Sequence, residues 1–187
     1  VAWKGFVSKI KLKKLSIASI LDYGIGETNH QFKPAFIQLL WPTWALGIAR
    51  ASDHVFAFLG YHYSGKIIKK FKALKTLFSL HIIRRLNSII FIGFPNIISP
   101  IMLSINSFFF GVGHTANQTL LHKEFSDKQR ATMSSLNALA GSLFFAIFAF
   151  GIGLVADQIG PIKALLIGEI LLISVIPIYY NLFKKQN

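Results

Sequence analysis

Lys123-Glu-Phe-Ser-Asp-Lys-Gln-Arg130 leads directly into residues 131–156, an apolar run without one charged side chain, which closes through Gly153-Leu-Val-Ala-Asp157-Gln-Ile-Gly160-Pro161. A hydrocarbon core of about 30 Å calls for about 20 apolar residues in a helix, because only helices and closed barrels satisfy every backbone polar group inside lipid. The run is therefore expected to span a membrane. Small residues recur along it at Ser134, Asn137, Ala140, Gly141, Ala149, Gly151 and Gly153, as they do where membrane helices approach one another closely. Asp157, Gly160 and Pro161 form a turn signal that returns the chain into a second apolar run, 163–183.

Working outward, the whole chain fits this reading. Of its 187 residues 53% are hydrophobic, with 18 Phe against seven acidic residues, and the mean hydropathy is +0.53. That balance is too apolar for a soluble domain and ordinary for a multi-span membrane protein. The formal charge of +13, taken alone, suggests nucleic acid or an anionic surface. Its distribution decides against nucleic acid: lysines and arginines gather at 4–14, 66–75, 123–130 and 184–185, separated by runs of spanning length, as in cytoplasmic loops. There is no cysteine, which removes thiol nucleophiles, thiolate metal sites and disulfides. The six histidines show no metalloprotease spacing, so no metal or other cofactor is expected. No nucleophile and base stand at a convincing spacing either, and the chain is not expected to be an enzyme.

The expected fold class is all-α: a polytopic bundle of six transmembrane helices. Residues 1–14, with Trp3, Phe6, Val7 and Ile10 between lysines, read as a basic amphipathic linker at the cytoplasmic surface. Residues 15–183 hold the spans, at about 15–39, 43–67, 74–94, 97–121, 131–156 and 163–183, and 184–187 form a cytoplasmic tail. Trp41-Pro42-Thr43-Trp44 marks an outer boundary. Basic clusters before the first span and after the second, fourth and sixth put both termini in the cytoplasm of a cell whose plasma, or inner, membrane holds the protein. Lys33 and Lys163 count among the few positive charges of the outer loops, and Arg84 and Arg85 stand out inside the third span. A chain that opens on Val1 within a basic segment is expected to be a piece of something longer.

Ionisable groups within spans are costly, about 2.5 to 3.5 kcal/mol each on insertion scales, so they mark partners or a water-filled pathway. Helical spacing puts Tyr23, Glu27, His30, Gln31 and Pro34 on one face of the first span, with Asp22, Gly26 and Asn29 on the adjacent one. Glu27 is the leading candidate for a proton-coupling or substrate-contacting carboxylate, against the plainer role of a local cap or pair. Asp22 is either part of that pathway or a partner for a loop lysine. Arg50, Asp53 and His54 share a face of the second span, and Arg50 with Asp53 is spaced for an ion pair within the helix. Arg84 suits an anionic substrate or neutralisation of Glu27 or Asp22, while Arg85 suits snorkelling. Ser104, Ser107, Gly111, His114 and Gln118 form a polar stripe of the fourth span, lining a pathway or, for His114, bonding between helices. Glu169 is either a proton site or a partner for Lys163.

Gly153-Leu-Val-Ala-Asp157-Gln-Ile-Gly160 fits the G-x-x-x-D-x-x-G loop signature of the major facilitator superfamily. Residues 125–135 resemble the cytoplasmic approach to that family's eleventh helix. Gly65-Lys66-Ile-Ile-Lys69-Lys70-Phe-Lys72 is similar to its loop between helices eight and nine, with Lys69 and Lys72 where the signature has an acid and a second glycine. The resemblance covers nearly the whole chain as the carboxy-terminal six-helix half of a twelve-helix transporter. It assigns Gly65, Lys66, Lys70, Gly153, Asp157 and Gly160 to loop structure. It also implies a secondary transporter for a small organic molecule, working by alternating access, proton-coupled and suited to efflux, with its substrate site at the midplane between two halves. The implied partners are membrane lipid, substrate, protons, and a missing amino-terminal half or a second copy. The competing expectation is a truncated or self-assembling six-helix protein without transport.

Overall fold

Several of the breaks between helices fall at a proline or at a residue with positive φ. The computed structural model describes residues 10–125 and 127–184. Among them it places α1 (Ile10–Gln38), a single 3-10 turn (Thr43–Ala45), α2 (Leu46–Phe71), α3 (Ala73–Gly93), α4 (Ser99–Glu124), α5 (Asp127–Ile159), α6 (Pro161–Leu172) and α7 (Val175–Lys184), and no strand. The fold is all-α. Pro42 follows α1 in an extended conformation. Lys72, at φ 66°, separates α2 from α3, and Gly160, at φ 84°, separates α5 from α6. Before α4, Asn96 Oδ1 accepts the Ile98 amide and Ser99 Oγ accepts the Asn96 amide, both at 2.9 Å.

The expected linker and sixth span are redrawn. Residues 1–9 of the linker and 185–187 of the tail lie outside the described residues, and 10–14 are already the first turn of α1. The run at 163–183 is two helices. Pro177 has no amide to give to the carbonyl of Ile173 and its ring crowds that carbonyl, so the chain tightens there into Ile173 N–H to Ile170 O, Ser174 N–H to Leu171 O and Ile176 N–H to Ile173 O bonds, each 3.0 Å long.

The helices run side by side between two ends. At one, Lys11 of α1 pairs with Glu124 of α4 at 2.7 Å, and Phe78 of α3 stacks on Phe183 of α7. At the other, Trp41 Nε1 donates to the Ile97 carbonyl at 2.8 Å, joining the α1–α2 and α3–α4 turns. α1 is central, packing on α5, α6, α7 and α4, while α2 lies along α4 and α3 bridges α4 to α6 and α7. α2 and α4 cross at glycines: a Cβ on Gly111 would stand 2.9 Å from the Ala57 carbonyl oxygen and from the Tyr61 nitrogen, and one on Gly60 would strike the Phe108 backbone.

Alongside an apolar core, the protein buries polar groups and exposes large apolar ones. Asn29, Asp53, His81, Arg85, Ser104, Asn117 and Glu169 are buried, whereas Phe58, Leu86, Phe94, Leu139, Leu143, Ile147 and Phe150 are exposed. Apolar clusters fill the two ends, one around Leu15, Leu77, Leu172 and Tyr179 and one around Phe36, Ile92 and Leu165, with polar side chains between them. Two helical stretches, Arg130–Ile159 and Pro161–Lys184, are long and apolar enough to cross a membrane. Only 11% of the most apolar window of the first is buried inside the protein, unlike the central helix of a soluble core. On α5, Leu136, Leu139, Leu143, Ile147, Phe150 and Leu154 are exposed at helical spacing, an apolar stripe with no protein over it.

Candidate functional site

α1 presents charged and amide side chains to the middle of the bundle because Asp22, Gly26, Asn29 and Lys33 recur every three or four residues. They meet the polar faces of α2, α3, α4 and α6 around a cavity of ≈ 280 Å³. Asp22, Glu27, Asp53 and Glu169 line it, four of the chain's seven acids, together with Lys33, Arg50, Arg84 and Arg85. His30, His54, Asn106 and Ser107 are among the uncharged polar residues that line it with them.

Most of these charges are paired between helices. Lys33 Nζ donates to Asp53 Oδ1 at 2.5 Å and reaches Ser104 Oγ at 3.4 Å, while Ser107 Oγ donates to the same Asp53 oxygen at 3.4 Å. Arg85 Nη1 donates to Glu169 Oε2 at 2.5 Å, and Asn29 Nδ2 donates to Oε1 at 2.9 Å. Arg84 Nη1 lies 3.8 Å from Asp22 Oδ2, and His81 Nδ1 stands 3.7 Å from Asp22 Oδ1. Glu27 accepts from Gln31 Nε2 at 2.6 Å, and Arg50 Nη1 is 3.5 Å from His30 Nε2.

Several pairings expected from spacing are corrected by this geometry. Arg50 and Asp53 share a helix face, but Asp53 pairs with Lys33 across the α1–α2 interface. Lys33 is therefore an interior residue of α1 and no loop charge. Arg85 does not snorkel: it is 4% exposed and bound to Glu169, which is 5% exposed. Glu169 accordingly belongs to Arg85 and Asn29, and Lys163 is exposed. Of the partners weighed for Asp22 and Arg84, the structure pairs the two with each other, and among the described residues no loop lysine takes part.

Of the candidate residues, Asp22, Glu27, His30, Arg50, Asp53, Arg84, Ser107 and Glu169 line the one cavity. Gln31 faces outward and touches it only through Glu27. His114 and Gln118 line a second cavity of ≈ 250 Å³, which shares Asp22, Tyr23, Arg84 and Phe110 with the first. His114 meets the rings of Tyr61 and Phe110. Gly65, Lys66 and Lys70 lie in the last two turns of α2, where Lys66 and Lys70 sit over the rings of Tyr63 and Phe71. Gly153 and Asp157 end α5, and Gly160 opens α6.

Asn29, Lys33, Arg85, His81 and Asn106 take part although none of them was among the candidate site residues. For Asn29 and Lys33 a signal was present: both continue the i, i+3, i+4 row of Asp22 and Gly26. Asn106, which donates to Ser88 at 2.8 Å and accepts from Asn87 at 3.0 Å, sits one residue off the α4 stripe. What the arrangement offers chemically is a charge-balanced polar chamber inside an apolar shell, with fixed internal ion pairs and with Glu27 and Arg50 outside them. Compared with protein-family models, with curated proteins and with solved structures, the chain matches none.

Proposed function

We propose that this chain is the carboxy-terminal six-helix half of a major-facilitator-type secondary transporter and that the central cavity is its share of the pathway for a small organic molecule. One observation carries the reading: four acids and four bases line one cavity in a bundle whose outer face is apolar. In lipid that is the arrangement that keeps charge with protein and water. The six membrane crossings of the proposal are α1, α2, α3, α4, α5, and α6 with α7. The basic clusters then fall at the end marked by the Lys11–Glu124 pair, which the positive-inside rule makes cytoplasmic, with both termini on that side. Rocking of this bundle against a partner half, or against a second copy, opens the cavity to alternate sides, and protonation of Glu27 biases one state.

Because the chain has no cysteine, single cysteines at Ala57 and Ser107 report the cavity without background. Membrane-impermeant thiol reagents are applied to vesicles of both orientations. Alternating access labels each position from both sides and Glu27→Gln changes the ratio. Labelling from one side only, unaltered by Glu27→Gln, identifies a non-transporting six-helix protein instead.

A further inference from the structure

The eight charges of the cavity do not all pair with one another. Lys33 takes Asp53, Arg85 takes Glu169 and Arg84 lies against Asp22. Glu27 on α1 and Arg50 on α2 are left over. Among the described residues no ion pair within 4.0 Å joins them to each other or to any other charged group. Both line the same cavity, with His30 one turn along α1 from Glu27 and 3.5 Å from the Arg50 guanidinium. Gln31 holds the Glu27 carboxylate at 2.6 Å from the outer side, which fixes the group without neutralising it.

Resting on the transport reading, we propose that the cavity takes a small zwitterion, its carboxylate on Arg50 and its ammonium on Glu27. Electroneutrality selects this class. A lone anion compensates Arg50 and leaves Glu27 bare, a lone cation does the reverse, and a neutral molecule leaves both, whereas one ligand carrying both charges settles the two at once. The guanidinium offers a two-pronged donor matched to a carboxylate; the Glu27 carboxylate is an acceptor for an ammonium. The three internal pairs keep the remaining charges from competing for the ligand. At ≈ 280 Å³ the cavity is at the small end of the range for ligand sites, about 300 to 1,000 Å³, which sets the ligand at amino-acid size.

The test is equilibrium binding to the full purified chain in detergent, with ω-amino acids from glycine to 6-aminohexanoate as probes, each beside the alkylamine and the carboxylate of matched length. At least one zwitterion is expected to bind about tenfold tighter than both of its single-charge counterparts. Arg50→Gln brings it down to the amine, and Glu27→Gln brings it down to the carboxylate. Each variant keeps the other single-charge ligand, and that retained binding shows the protein to be folded. Equal binding of zwitterions and single-charge probes, binding of none of them, or an advantage that survives both substitutions overturns the proposal. Zwitterion preference combined with one-sided cysteine labelling leaves the site and removes transport; two-sided labelling without the preference leaves transport and removes this ligand class.

Discussion

Arg85 on α3 and Glu169 on α6 face each other at 2.5 Å with both side chains buried, and Asn29 of α1 donates to the second oxygen of the same carboxylate at 2.9 Å. Three helices are thereby tied at one point. Removing one member leaves an uncompensated buried charge, which costs about 3 to 5 kcal/mol, while replacing both by apolar residues of similar volume is often neutral. Arg85→Met is expected to lower the melting temperature of the detergent-purified protein sharply, and Arg85→Met with Glu169→Leu to recover most of the loss. A double variant no more stable than the single one would show that the pair acts independently of its charge balance.

Lys33 and Asp53 form the corresponding tie between α1 and α2, with Ser104 and Ser107 of α4 around them. A charged, half-buried hydrogen bond of this kind contributes about 1.5 to 3 kcal/mol. Lys33→Met and Asp53→Asn should each destabilise, and the double-mutant cycle should return a coupling of about 2 kcal/mol. A coupling near zero would return Asp53 to Arg50, the pairing that helical spacing alone suggests.

Helical periodicity grouped Glu27 with His30, Arg50 with Asp53, and Ser107 with the polar stripe of α4, because polar residues recur there every three or four positions, and those groups line the cavity. Partner choice was legible only for Arg84, of which Asp22 was one expected partner. Spacing along one helix shows only neighbours on that helix, and Asp53, Arg85 and Glu169 each take their partner from another. The break at 173–174 was legible in Pro177 yet displaced by one turn, since the proline disturbs the carbonyl four residues before it. Charge also hid the helix starts: Lys11, Lys13 and Lys14 read as surface approach, although α1 already includes them.

Gly60 and Gly111 set the α2–α4 distance. The atoms that a Cβ on either would meet belong to the opposing backbone, which yields less readily than a side chain. Overpacking of this kind costs about 1 to 3 kcal/mol. Gly111→Ala is therefore expected to destabilise more than Gly113→Ala, where the nearest atom to a Cβ is the flexible end of Leu77 at 3.9 Å. Equal melting temperatures for the two would mean that the helices separate without cost.

Lys72 and Gly160 occupy the same place in two similar stretches, the last position of Gly65-Lys-Ile-Ile-Lys-Lys-Phe-Lys72 and of Gly153-Leu-Val-Ala-Asp-Gln-Ile-Gly160. Their backbones agree as well, φ 66° and ψ 143° against φ 84° and ψ 161°. Glycine adopts that region freely, whereas a side chain there costs about 1 to 3 kcal/mol. The Lys72 amide donates to Ile68 and its carbonyl accepts from Thr76, bonds that glycine keeps. Lys72→Gly is expected to stabilise the protein by about 1 kcal/mol in neutral detergent, after the greater freedom of glycine in the unfolded chain is set against the relief of strain. In the proposed membrane orientation a lysine at the basic end also draws on anionic lipid, worth about 1 kcal/mol near a headgroup surface. In vesicles rich in anionic lipid the gain should accordingly shrink towards zero. A gain of equal size in both media would assign no lipid role to Lys72, and a loss in detergent would show that the α2–α3 turn is held open by contacts of the lysine side chain.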